Sequence, residues 1–106
     1  MGKELVMDLE EAFAMLDSVS NSSVVLAKPP FTWGSEAEFV ELTDDYRVPQ
    51  NFLDAGYEYL IGVEDALYMV SNLAGKRIGA RAVAEFVVHW TINDAPPAWL
   101  NDLSDM

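Results

Sequence analysis

Residues 57–63 (YEYLIGV) carry the strongest strand signal in the chain, aromatic and aliphatic with few polar positions. Such a run belongs at the centre of a sheet. It fixes a β component in a chain whose other strong signals are helical. Residues 4–16 (ELVMDLEEAFAML) repeat Leu5, Leu9, Ala12, Phe13 and Leu16 at spacings of three and four, the stripe of an amphipathic helix. Glu4, Asp8 and Glu11 fall on another face, where early acids suit the positive end of the helix dipole. Residues 17–23 (DSVSNSS) then stop the helix, because short polar side chains compete for backbone hydrogen bonds.

Two shorter strands are expected before the strong one. Residues 24–27 form a β-branched run closed by Pro29 and Pro30, and 38–42 (EFVEL) alternate so that Phe39 faces one way and Val40 and Leu42 the other. Residues 43–50 have no periodicity and read as a loop. Pro49 can then start a short helix through Ala55, closed by Gly56 in a left-handed conformation. After the strong strand, residues 64–73 predict a helix with Ala66, Leu67, Val70 and Leu73 inward, ending by Gly75. Residues 80–91 predict another, with Ala80, Val83, Ala84, Val87 and Thr91 on one stripe and Ala82, Phe86 and Trp90 on a second. A helix apolar on two sides is deeply buried or serves an interface. Pro96 and Pro97 end that segment and redirect the chain, so that Trp99 and Leu100 either fold back as a hydrophobic latch, the preferred reading, or dock on a partner. The last residues, 100–106 (LNDLSDM), are expected to fray. The pattern predicts one α+β domain over residues 1–106: a small sheet of about three or more strands, covered by an N-terminal helix and two C-terminal helices.

Composition narrows the function. Half of the 106 residues are hydrophobic (51%), enough for a real core, and the formal charge is −12 with a pI near 4.1. That charge argues against nucleic acid and anionic membrane as partners, since both demand a basic face. There is no cysteine, which removes disulfides, thiol nucleophiles and cysteine-bound zinc and suits a reducing cytoplasm. No run approaches a membrane span, and Lys3 is followed at once by acids, unlike a signal peptide. Motifs for chemistry are lacking too. His89 is the only histidine and reads as a structural or helix-surface residue, not a catalytic base. Glu41, Asp44 and Asp45 lack the spacing and turn glycine of a calcium loop, and Gly75-Lys76-Arg77 lacks the rest of a phosphate loop. No catalytic residue, cofactor or metal ligand is assigned, and the chain is expected not to be an enzyme.

What remains is the placement of charge. Residues 36–65 hold nine acids against the single base Arg47, a local charge of −8, while Lys76, Arg77 and Arg81 gather half of all the bases in one connector. Acids serve solubility well. Their concentration also suits a surface kept negative to meet a positive partner, speeding encounter and excluding wrong partners. Tyr46 lies among them, with Phe31 and Trp33 nearby, and large aromatics beside acids are the makings of a binding hot spot unless they are core. The contact candidates are therefore Glu36, Glu38, Glu41, Asp44, Asp45 and Tyr46, with Asp54 and Glu58 as second choices.

The order of elements, the stretch GYEYLIGVED (56–65), MVSNLA (69–74) and HWTINDA (89–95) together resemble a group of small acidic bacterial proteins. That group includes immunity proteins of contact-dependent growth inhibition and related toxin systems. The resemblance, which covers most of residues 4–100, implies a non-enzymatic inhibitor. It would bind the C-terminal catalytic domain of a cognate toxin in the cytoplasm and cover its active site, as a monomer forming a 1:1 heterodimer. Nucleases need basic clefts, so carboxylates can sit where phosphates would, and an RNase or DNase is the expected target. Three rivals stand beside it: a nucleic-acid mimic directed at a host DNA-binding protein, a small-ligand module using His89, and a structural subunit paired through helix 80–91.

Overall fold

A computed structural model describes residues 7–104. Its centre is β1 (Ser23–Ala27), in which every residue is buried. β2 (Ala37–Glu41) and β3 (Glu58–Gly62) pair with it antiparallel on either side, in the order β2-β1-β3. The strand expected at the centre is thus at an edge. The reason lies in what each strand can bury on two faces. SVVLA has no charged side chain and can be covered on both sides, whereas β3 opens with Glu58 and Tyr59, both exposed. A bulge completes β3: Val25 pairs with Ile61 and Leu26 with Tyr59, so Leu60 is the extra residue, and Leu60 and Ile61 both join the main core.

Alternation along the strands separates two cores. Val25, Ala27, Ala37, Phe39 and Ile61 face the helices, while Val24, Leu26 and Val40 face the other way under Leu42, Val48, Phe52 and Tyr57. Phe39 and the Val40–Leu42 pair therefore take opposite sides as their spacing predicts. Between β2 and β3, α2 (Gln50–Asp54) lies over the smaller core. Its end is a Schellman motif. Gly56 takes φ +97°, its N–H donates to Leu53 O (3.0 Å), Tyr57 N–H donates to Phe52 O (3.0 Å), and the two rings meet edge to face at 6.0 Å. A Cβ on Gly56 would meet only Lys28 Cε at 3.9 Å, so any cost of Gly56→Ala comes from the backbone angle and not from a clash. That substitution is expected to lose about 1–2 kcal/mol, which chemical denaturation at unchanged m-value would measure.

The larger core is closed by α1 (Leu9–Ala14), α3 (Val63–Ser71) and α4 (Ala80–Asn93). α1 starts later than its apolar stripe suggests, and residues 4–6 lie outside the described residues. Asp8 is its cap: its carboxylate accepts from Glu11 N–H (2.9 Å), and Glu11 Oε1 accepts from Asp8 N–H (3.1 Å). Two acids expected on a helix face are thus the reciprocal halves of a capping box. Ahead of the cap the chain runs along β2, where Met7 O accepts from Ala37 N–H at 2.8 Å and Asp8 bridges to Glu36.

α4 buries parts of both its stripes, Ala84 and Val87 on one and Phe86 on the other. The second is covered by the chain that follows. Pro97 starts a turn of 3-10 helix (Ala98–Asp102) that sets the Trp99 ring 5.7 Å from Phe86, with Leu100 and Leu103 also packed on the core. The latch forms. The expected fraying of 100–106 is corrected over 100–104, because that segment packs and Ser104 O accepts from Arg77 N–H at 2.8 Å. Residues 105 and 106 lie outside the described residues.

Candidate functional site

Strand register distributes the acids of 36–65 over several surfaces. Glu38 pairs across to Leu26 and shares the smaller-core face with Val40, and Glu36, two residues earlier, takes the same side. Glu41, opposite Ser23, takes the other side and is exposed at the end of β2. Glu58 pairs with Ala27 at the exposed start of β3. Asp54 ends α2, where its Oδ1 accepts from Gln50 Nε2 at 2.9 Å. Register, then, brings Glu36 and Glu38 together and separates Glu41 and Glu58 from them.

Asp44, Asp45 and Tyr46 share one tight turn after β2. Thr43 O accepts from Tyr46 N–H and Arg47 O from Thr43 N–H, each at 2.8 Å. The Thr43 hydroxyl donates to Asp45 Oδ1, and Arg47 Nε lies 3.4 Å from Asp45 Oδ2. The turn holds Tyr46 at φ +63° with 84% of its surface exposed. A tyrosine at positive φ is uncommon and costs on the order of 1–2 kcal/mol against its relaxed backbone. An exposed ring there does nothing for the core. Phe31 and Trp33, by contrast, pack on the main core, so Tyr46 alone of the three aromatics is presented to solvent.

Two acids of the stretch are neutralised locally. Asp45 has Arg47, and Glu36 Oε2 lies 2.8 Å from Lys28 Nζ, which also sits 5.1 Å from the centre of the Tyr57 ring. The hydrogen bond to Glu36 pushes the Lys28 pKa above the ordinary lysine value, with partial burial opposing it. The sign follows: whatever stability this ammonium lends is present at neutral pH and is lost only as pH rises through the raised value. Glu38, Glu41, Asp44, Asp54, Glu58, Glu64 and Asp65 have no ion pair among the described residues. Of the basic connector, Arg81 is used internally, with Nε 3.3 Å from Glu10 Oε1 and its guanidinium 3.9 Å over the Trp33 ring.

The edge position of β3 creates a feature that residue spacing does not announce. A groove of about 300 Å³ opens between β3, α3 and the end of α4, with Tyr59, Tyr68 and Trp90 as aromatic walls and Asp65 and Asp94 as carboxylates. Its residues come from three elements, and nothing in the sequence joins them before the helices dock. His89 lies on another side of α4, exposed, beside Phe31, Trp33, Glu85 and Ile92. Among the described residues no group of three or more acids or histidines could hold a metal ion, and no helix is long and apolar enough to cross a membrane. Comparison of the chain with protein-family models, with curated proteins and with solved structures finds no match in any of the three.

Proposed function

We propose that the chain is an immunity protein that binds a cognate basic toxin domain in the cytoplasm and blocks its active site without chemistry of its own. The observation that carries this reading is that seven acids within residues 36–65 have no ion pair among the described residues, with Tyr46 exposed beside Asp44 in the turn after β2. Uncompensated like charges repel one another and lower the stability of a fold. Such a surface makes physical sense where a positive partner neutralises it. A nuclease cleft is such a partner, because it is built to hold phosphates. The carboxylates draw the toxin in and face its lysines and arginines. Tyr46 supplies the apolar contact that charge alone lacks. RNase is the favoured target, in a 1:1 complex with a monomeric inhibitor.

The test is neutralisation. A basic C-terminal domain encoded in the gene directly upstream should kill cells when expressed alone and spare them when this chain is co-expressed. The two should purify together at 1:1, and the purified chain should stop nucleic-acid cleavage in vitro. Killing unaffected by co-expression, with no complex formed, would overturn the reading.

A further inference from the structure

We propose that the groove between β3, α3 and the end of α4 receives an arginine side chain presented by a protein partner. The walls are the side chains of Tyr59, Tyr68 and Trp90, and the charged groups are Asp65 and Asp94. Aromatic faces and carboxylates both attract cations and repel anions. Its Trp90 wall is held by ring contacts within the fold. Trp90 stands edge to face against the buried Phe86 (5.7 Å) and against Tyr68 (6.0 Å). The Tyr59 hydroxyl and Asp65 Oδ2 converge above Gly62, 3.8 and 3.9 Å from where a Cβ would stand.

The molecule itself shows what this combination holds. Arg81 lies over the Trp33 ring with Glu10 at its Nε, and Lys28 lies by the Tyr57 ring with Glu36 at its Nζ. In both places one ring and one carboxylate hold one cation. The groove repeats that pairing with more rings and two carboxylates, and no lysine or arginine is among its lining residues. A flat guanidinium suits ring walls better than a compact, strongly hydrated ammonium does. Tyr59 and Tyr68 are 50% and 64% exposed, so the groove is a surface slot with room for one side chain, at the small end of ligand cavities. The exposed Glu58 and Glu64, from β3 and the first turn of α3, add to the negative charge of the elements that form it. Choosing a protein as the source rests on the basic partner proposed above. The groove's preference for a cation does not.

The experiment is a titration of the ¹⁵N-labelled chain with acetyl-Gly-Arg-Gly-amide, followed at the Trp90 indole N–H. Saturable shifts are expected, and the citrulline peptide, equal in shape but uncharged, should bind about tenfold more weakly or worse. Asp65→Asn and Asp94→Asn should each weaken the arginine peptide. Asn tolerates the positive φ (57°) of Asp94, so the helix end is kept. Glu85→Gln, exposed on the His89 side of α4 and not among the groove's lining residues, should leave the titration unchanged. Equal binding of citrulline would reduce the groove to an apolar cleft and overturn the proposal. Tetramethylammonium binding more tightly than the arginine peptide would overturn the assignment to a protein side chain. Arginine binding in a chain that neutralises no basic toxin would retire the immunity reading and leave the groove standing. Neutralisation without arginine binding would do the reverse.

Discussion

Phe86→Ala is expected to remove about 3–5 kcal/mol of stability, the range for deleting a fully buried aromatic ring. Phe86 is 0% exposed and is the largest of the fully buried side chains. Its ring meets Trp90 at 87° and Trp99 at 63°, each with centroids 5.7 Å apart, so it joins α4 to the segment that folds back over it. Aromatic pairs of this geometry add about 0.5–1.5 kcal/mol each beyond the area they bury. Against a total of about 5–15 kcal/mol for a domain of this size, the loss approaches the whole stability at the lower end. At roughly 4–8 °C per kcal/mol, the midpoint should fall by more than 10 °C. Phe86→Leu keeps most of the volume but gives up both ring pairs, so it should cost about 1–3 kcal/mol, less than the alanine variant. The alanine variant should also release the latch. Trp99 loses its ring partner, and the Arg77 amide, which donates to Ser104 O, should exchange faster in native-state hydrogen exchange. An alanine variant within about 1 kcal/mol of the wild type would mean that neighbouring rings collapse into the space, and that the latch does not depend on Phe86.

Phe86 also shows how far residue spacing reaches. Its stripe with Ala82 and Trp90 marks α4 as apolar on two sides, and the coverage by Trp99 follows from Pro96 and Pro97 turning the chain back. Gly56 and the alternation of Phe39 with Val40 were legible for similar local reasons: a left-handed end after a proline-initiated turn, and a period of two. Centrality in the sheet was not. Residues 57–63 have the greater β-propensity, yet β1 takes the middle because none of its side chains needs water on either face. The start of α1 is not legible in the same way, because an acid capping a helix and an acid on its outer face look alike in a hydrophobic pattern; only the hydrogen bonds of Asp8 and Glu11 separate them. The excess of acids could be counted, but their grouping depends on register, which sends Glu38 and Glu41 to opposite faces. The groove of Tyr59, Tyr68 and Trp90 depends on how three elements dock, which no local signal encodes.

Reversing charge in the turn after β2 should slow association with a basic toxin domain and flatten its dependence on salt. Asp44→Lys and Asp45→Lys each shift the charge by two, so together they take the formal charge from −12 to −8. Long-range attraction between complementary faces raises association rates by about tenfold or more at low salt and is screened beyond about 8 Å at physiological ionic strength. The double variant should therefore associate about tenfold more slowly at low salt and converge on the wild type as salt rises. The two positions differ in what else they do. Asp45 accepts from the Thr43 hydroxyl and pairs with Arg47, so its reversal also loosens the turn, whereas Asp44 has no ion pair among the described residues. Asp44→Lys alone is thus the cleaner measure of steering, and Asp45→Asn, which keeps an acceptor for Thr43, controls for the turn. Tyr46 acts on the other rate. Its positive φ makes alanine a poor probe, because the backbone strain stays when the ring is gone; Tyr46→Asn removes the ring with a residue that favours that conformation. If Tyr46 is an anchor, dissociation should quicken by about 30-fold, the value of a 2 kcal/mol hot spot, with association little changed. Stopped-flow association at several salt concentrations, paired with competitive dissociation, separates the two effects. Rates untouched by both Asp44→Lys and Tyr46→Asn would move the toxin-binding surface away from this turn.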